Sequence, residues 1–278
     1  MKKLRLGLFI LLILTVFCVS CSSQNTTQSP ESNFNSSMGE VHNILLDRYL
    51  SQPYAFKGDL FNENGLMPFA NYNVMMNSFC EYFKELGYQS SYIDSLREVI
   101  DEQFQLMGVF KTINGQKFLL PFDSTFVINS YNYCQNVEIL TEEEKELMAP
   151  IIMKYVDGAD PSEIDYEILL ANQKIHSFDT AHVEKMYDFL SVYSASKNYW
   201  ASYDLIGTTY AGASTADAIG TYVGHIAGTW IGAIVGTGIG GPIGGAVGGA
   251  AGYDAGGAIV SAGYSAMYVA WHNYKMNH

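Results

Sequence analysis

Hydrophobic residues recur every three to four positions over residues 40–204, which is the period of a helix with one buried face. Two of these stripes, at residues 74–86 and 93–107, are each followed by a glycine, Gly87 and Gly108. Glycine is the residue that most often ends a helix, because it adopts the left-handed backbone without strain. The pattern predicts a mostly helical globular domain.

Short local motifs mark where further elements begin and turn. Thr141 is followed at the third position by Glu144, and this capping box satisfies the free amides at a helix start. A last helix of the domain is expected from about Thr180. Strands could interrupt the helices at Asn114-Gly115, a pair typical of the two-residue turn of a β-hairpin.

Glycine recurs at every fourth position in the C-terminal quarter of the chain. The row runs without a gap through Gly220, Gly224, Gly228, Gly232, Gly236, Gly240, Gly244, Gly248, Gly252 and Gly256. Four residues turn a helix by about 400°, so these glycines line a slowly winding groove that has no side chains. Glycine costs about 1 kcal/mol per helical position relative to alanine, so the row makes sense only if the groove receives another helix at close range. Residues 205–274 are therefore predicted to form a glycine-zipper helical hairpin.

The hairpin is expected to turn near Pro242, since proline lacks an amide hydrogen and suits the first turn of a second helix. Antiparallel arms around that turn pair positions whose numbers sum to about 480. This arithmetic places His225 near Asp254, and a contact between the two would offset the cost of burying a carboxylate. The alternative is that Asp254 faces water.

The zipper segment also has features of membrane-associated helices. Residues 205–270 contain no lysine or arginine. Aromatic residues, among them Trp200 on one arm and Tyr264 and Trp271 on the other, cluster where the arms open, and such rings favour a membrane interface. The expected partners are a lipid bilayer and, through the zipper, other copies of the chain in a homo-oligomer.

The N-terminus has the features of an export signal. Residues 1–20 combine a positively charged start with an apolar run that is short for a membrane span, and they end at a serine followed by Cys21. This arrangement resembles a bacterial lipoprotein signal, which implies cleavage before Cys21 and attachment of acyl chains to it. The alternatives are cleavage by another peptidase or an uncleaved anchor. Residues 21–39 are then a lipidated cysteine and a flexible tether. The tether has no acidic run after Cys21, which favours the periplasmic face of the bacterial outer membrane.

The composition is acidic. Lys+Arg number 15 and Asp+Glu 28, which gives a net charge of −13. Loss of the first 20 residues removes three cations and leaves 12 − 28 = −16. Binding of nucleic-acid phosphates requires clustered lysine and arginine, so no nucleic-acid partner is expected.

The sequence contains no motif that would carry enzymatic chemistry. It lacks zinc-ligand spacing, a phosphate-binding loop and a nucleophile elbow, so neither catalytic residues nor a metal or other cofactor is expected. Glu40 and His42 could join a metal site, but a solvated and a packed side chain at a helix start is the favoured interpretation. Cys80 and Cys134 could form a disulfide in an oxidising compartment, or remain two buried thiols.

The zipper sequence Gly-Gly-Pro-Ile-Gly-Gly-Ala-Val-Gly-Gly resembles segments of bacterial envelope lipoproteins and of small helical bacteriocins. The first resemblance implies a non-enzymatic cell-envelope lipoprotein whose hairpin packs in or on a membrane or self-associates. The second implies an antibacterial pore-forming toxin that uses the hairpin as its inserting element. The lipid anchor favours the first function.

Overall fold

The amphipathic stripes form helices in the computed structural model, which describes residues 37–52, 60–121, 123–136, 140–201, 214–215, 219–220, 224 and 252–276. The predicted signal segment with Cys21, the tether up to residue 36, His225, and the zipper glycines between 225 and 251 lie outside these residues. The described residues are mostly helical, so the predicted helical class is confirmed.

Before the zipper, the described residues contain seven α-helices: α1 Met38–Leu50, α2 Phe69–Glu85, α3 Ser90–Leu106, α4 Ser124–Asn136, α5 Glu142–Val156, α6 Pro161–Lys174 and α7 Glu184–Ala201. An eighth, α8, is described over residues 252–276, and the short described pieces between residues 214 and 224 are also helical. Gly87 and Gly108 follow α2 and α3 with φ of 95° and 71°, as helix-ending glycines do.

The predicted capping box at the start of α5 is present. Thr141 Oγ1 accepts a hydrogen bond from the Glu144 amide at 3.1 Å, and the Glu144 carboxylate accepts one from the Thr141 amide at 3.1 Å. The expectation of a helix from about Thr180 is wrong by one turn, since α7 begins at Glu184. The Asp179 carboxylate caps a 3₁₀ turn at Thr180–His182 instead, by accepting from the Ala181 amide at 2.9 Å.

A small antiparallel sheet is the one departure from helix among the described elements. It consists of β1 Met67–Pro68, β2 Phe110–Ile113 and β3 Gln116–Leu119, in the order β1-β3-β2. Asn114 and Gly115, which join β2 to β3, have φ of 50° and 80°, the positive values that a tight hairpin turn requires. The hairpin expected at these two residues is confirmed.

The core lies around α8, which is buried over most of its length on every face. Its residues contact His42 of α1, Met76 of α2, Phe104 of α3, Ser130 of α4 and Trp200 of α7. The buried apolar residues of α8 belong to the same hydrophobic cluster as those of α1 to α7. The buried residues of α8 thus share one hydrophobic core with the helices on the other side of the boundary expected near residue 204.

Three of these helices run in the same direction. From α1 to α7, the Asn43 side chain donates to the Ala195 carbonyl at 3.4 Å and Tyr199 donates to Asp47 at 2.8 Å, with both partner numbers rising together. From α7 to α8, Asp188 bonds to Tyr253 and Trp200 bonds to Ser265, again with both numbers rising. Helices α1, α7 and α8 are thus mutually parallel and need long connections.

Candidate functional site: the seat of the C-terminal helix

The described part of the zipper is a backbone-to-backbone contact. A Cβ atom placed on Gly224 would lie 1.9 Å from the carbonyl oxygen of Gly256, and one on Gly220 would lie 2.9 Å from the carbonyl oxygen of Val260. Both pairs of positions sum to 480, the value expected for antiparallel arms. All four described zipper glycines, which are these three and Gly252, are helical and buried.

The two glycine contacts explain why side chains are absent from this groove. Helices normally lie 8–10 Å apart, whereas here no room remains for even one methyl group. The other six zipper glycines and the turn expected at Pro242 lie outside the described residues, so the hairpin as a whole stays a prediction.

Three hydrogen-bonded pairs fix the position of α8 among the other helices. The His42 Nδ1 atom lies 3.2 Å from the Ser261 hydroxyl, and the Trp200 indole donates to the Ser265 hydroxyl at 2.7 Å. The Tyr264 hydroxyl lies 2.8 Å from that of Ser130.

All six of these side chains are completely buried. A buried polar group that loses its partner lowers the stability of the fold by about 1–3 kcal/mol. The three pairs together therefore fix the rotation of α8 about its axis and its position along that axis in the bundle.

Two of the aromatic residues expected at a membrane interface are in fact interior residues. Trp200 and Tyr264 are fully buried in the protein, and Phe104 and Phe126 contact the Tyr264 ring edge-on with centroid distances of 5.6 and 5.3 Å. Burial raises the pKa of the Tyr264 hydroxyl above its ordinary range. Trp271 is partly buried and its centroid lies 5.5 Å from that of Phe61.

Two carboxylates lie where the first described turn of α8 meets α7. The Tyr253 hydroxyl donates to Asp188 at 2.9 Å, and Asp254 is the next residue along α8. Burial, as the largest cause, raises the pKa of Asp188 and that of Asp254 from 3.8 to about 6. The predicted partner of Asp254, His225, lies outside the described residues.

Cys80 on α2 and Cys134 on α4 are both buried free thiols. The structure thus shows the second of the two alternatives that the sequence left open. Burial raises the pKa of each thiol to about 12, so both are protonated and unreactive at neutral pH.

The other candidate ligands serve local structure. The Glu40 carboxylate accepts from the Ser37 amide at 2.8 Å in a capping box at the start of α1, and His42 lies in the core. In the described ranges, no three histidine, cysteine, aspartate or glutamate side chains come together as a metal site would need.

Crossing a bilayer requires a helix that is both long and apolar, and none of the helices in the described part of the chain meets both conditions. Comparisons with family models, with curated proteins and with solved structures give no match to this chain.

Proposed function

We propose that this protein is a non-enzymatic, lipid-anchored protein of the bacterial cell envelope, with Cys21 as the lipidated residue. Its glycine-zipper arms pack on each other inside a helical domain and act as the scaffold of that domain. The outer helices then present an acidic surface to the space beside the membrane. The lipid anchor and tether rest on the sequence of residues 1–39, as argued above.

The observation that carries this proposal is the set of three buried polar pairs between α8 and the domain. Moving α8 into a bilayer would separate Ser261, Tyr264 and Ser265 from their partners and leave polar groups unsatisfied on both sides. A helix rich in glycine, alanine and serine buries little apolar area in exchange, at roughly 25 cal/mol per Å². The arrangement therefore favours α8 as a core helix of the protein.

One observation favours the second candidate function, an antibacterial pore former. Helix α8 is sheltered at the centre of amphipathic helices, and the segment 205–270 carries no lysine or arginine. An apolar hairpin that is to enter a target membrane would need such shelter before it is released. The three buried polar pairs oppose that release, and for this reason it ranks second.

Membrane fractionation of the mature chain with Cys21→Ser tests the proposal. We expect the lipidated wild type to sediment with membranes and the unlipidated variant to remain in the supernatant, because no other segment is proposed to hold it in a bilayer. If the Cys21→Ser protein sediments with membranes and resists carbonate washing, the zipper itself inserts and the scaffold function is refuted.

A second measurement separates the two candidate functions. Ser261→Ala combined with Ser265→Ala removes two of the polar pairs and weakens the packing of α8 against the other helices. As a scaffold, the loosened protein is less stable but does not release dye from lipid vesicles. As a pore former, it releases dye faster than the parent protein does.

A further inference from the structure

Two consecutive helices, α5 and α6, carry four large apolar side chains that are exposed to water. Met153 of α5 is 47% exposed, and Tyr166, Leu169 and Leu170 of α6 are 58%, 52% and 39% exposed. The five other large apolar side chains that are exposed in the described ranges are spread over α1, α2, α3 and α8. Single exposed residues are normal on protein surfaces, whereas a cluster indicates a binding surface.

The two helices lie antiparallel to each other. Lys154 of α5 lies 2.5 Å from Glu163 of α6, and Glu146 of α5 pairs with Lys174 of α6. One partner number rises as the other falls, which is the order that antiparallel helices give. Residues near 150 on α5 are therefore level with residues near 170 on α6, and residues near 153 are level with residues near 166.

The exposed positions of each helix follow helical spacing and form two rows side by side. On α5 they include 146, 150, 153 and 157, and on α6 they include 163, 166, 170 and 174. The two ion pairs join the helices at both ends of these rows. Leu169 adds to the α6 row. Five side chains thus form one exposed apolar surface, the α5–α6 face: Pro150, Met153, Tyr166, Leu169 and Leu170.

The surroundings of the α5–α6 face are acidic. Residues 142–174 contain nine acidic side chains and three lysines, a net charge of 3 − 9 = −6. Each of the three lysines is already paired with a glutamate of the same two helices: Lys145 with Glu142, Lys154 with Glu163 and Lys174 with Glu146. The excess charge that a partner meets here is therefore negative.

Three carboxylates share one lysine at one end of the α5–α6 face. The hydrogen bond to Glu163 is the largest cause of the raised pKa of Lys154, and the charges of Glu167 and Asp157 raise it further. Glu167 and Asp157 form no ion pair with any residue in the described ranges. This end of the face therefore has an excess of two negative charges, next to exposed apolar side chains.

We propose that the α5–α6 face binds a basic amphipathic helix of another protein. The apolar side of that helix covers the five side chains, as in other cases where a helix docks in an apolar groove. Its lysine or arginine side chains meet the carboxylates around Glu167 and Asp157. Helix α5 has 15 residues and is about 22 Å long, so a partner of about four helical turns matches the face.

The charge of the α5–α6 face distinguishes this partner from two other occupants. A second copy of the chain would bring an equally acidic face and be repelled. A bilayer with anionic lipids would repel the face as well, since helices that lie on such a surface carry lysine and arginine on their polar side. The proposal assigns a partner to one part of the acidic outer surface and does not depend on the lipid anchor.

Fluorescence anisotropy on the full mature chain with Cys21→Ser tests the proposal. The probe is a labelled 15-residue peptide of leucine and lysine with leucine at helical spacing. One reference peptide has the same composition in an order that gives no apolar side, and a second has glutamate in place of lysine. We expect the probe to bind, and each reference peptide to bind at least tenfold more weakly.

Three double variants locate the binding surface. Leu169→Ser with Leu170→Ser should weaken binding of the probe at least tenfold, because two apolar contacts are lost. Asp157→Asn with Glu167→Gln should weaken it about three- to tenfold and reduce its dependence on salt. Leu86→Ser with Leu106→Ser is the matched control, since it removes two exposed leucines elsewhere, and it should keep the affinity of the parent.

Several results would overturn the proposal. The probe does not bind the parent at low salt, or it binds the Leu169→Ser, Leu170→Ser variant as tightly as the parent. Sedimentation velocity shows a dimer that this variant abolishes, which would make a second copy the occupant. Vesicles of phosphatidylethanolamine and phosphatidylglycerol bind the parent and not the variant, which would make it lipid.

Folding of the variants is checked by circular dichroism and urea unfolding. All three double variants should keep the helical spectrum of the parent and unfold at a similar urea concentration, because the substituted side chains are on the surface. A urea midpoint of the Leu169→Ser, Leu170→Ser variant far below that of the Leu86→Ser, Leu106→Ser control would show that the chain itself covers the face, and this too would overturn the proposal.

Discussion

Replacing Gly224 with alanine tests the close contact of the zipper arms most directly. The new Cβ atom would lie 1.9 Å from the Gly256 carbonyl oxygen, 2.3 Å from its carbonyl carbon and 2.6 Å from the Gly257 nitrogen. Carbon and oxygen atoms that touch without bonding are about 3.3–3.6 Å apart, so the arms must separate by roughly 1.4 Å or more. The atoms in the way belong to the backbone, and no rotation of a side chain can remove them.

The expected loss of stability can be worked out from these distances. Overpacking a core costs about 1–3 kcal/mol, and a clash with backbone belongs at the upper end, about 3 kcal/mol. Alanine is favoured over glycine in a helix by about 1 kcal/mol, which offsets part of this. Gly224→Ala should therefore lower the free energy of unfolding by about 2 kcal/mol.

Gly263→Ala provides the matched control in the opposite arm. Its Cβ atom would lie 2.9 Å from the Met76 sulfur and 3.7 Å from the Met76 terminal methyl, and a thioether side chain can move aside. The same gain in helix propensity applies, so this variant should unfold within about 1 kcal/mol of the parent.

Urea unfolding of the mature chain with Cys21→Ser, followed by circular dichroism and by tryptophan fluorescence, gives the free energies of unfolding. The order of stability should be parent or Gly263→Ala first, with Gly224→Ala clearly below. If Gly224→Ala is as stable as Gly263→Ala, the arms do not touch at this position and the scaffold argument is wrong.

Three other predictions concern the core. Ser265→Ala should lower the free energy of unfolding by about 1–3 kcal/mol, because the indole of Trp200 then lacks its buried acceptor, and urea titration followed by tryptophan fluorescence checks this. Thr141→Ala should cost about 1 kcal/mol in the same titration through loss of the cap on α5, whereas Thr141→Ser should cost less because it keeps the hydroxyl. Cys80 and Cys134 should not react with a thiol reagent at pH 8 in the folded protein and should both react in urea; rapid labelling without urea would contradict their burial.

The elements that the sequence predicts well have their signals within a few residues. Gly87 and Gly108 end α2 and α3, the capping box begins α5, and the pair Asn114-Gly115 forms its hairpin turn. In each case the local backbone geometry favours that residue type, so the element can be predicted without knowledge of the rest of the chain.

Helix α4 gave no usable signal. Its buried face includes Phe126, Val127, Ser130, Tyr131 and Cys134, so a serine and a tyrosine occupy positions where a stripe would show aliphatic residues. Ser130 is inside because Tyr264, 134 residues away along the chain, supplies its partner. A pattern of hydrophobic and polar positions does not contain that information.

The position of α8 in the core could not be predicted for a related reason. A helix of glycine, alanine, serine and tyrosine without lysine or arginine up to residue 270 has the same pattern whether it faces lipid or a protein core. The groups that distinguish the two, His42 and Trp200, lie in other helices. The four-residue period does predict which positions of the two arms meet, because the pairs 224–256 and 220–260 follow from the repeat and from one turn position.

The central position of α8 also determines the order in which the core can be completed. Helix α8, which contacts five of the earlier helices, leaves the ribosome after all of them, and its Ser261 has to reach His42 across 219 residues of chain. Contacts so distant in sequence form slowly. Until those final turns emerge, the earlier helices have no central helix to pack against, and the core stays incomplete.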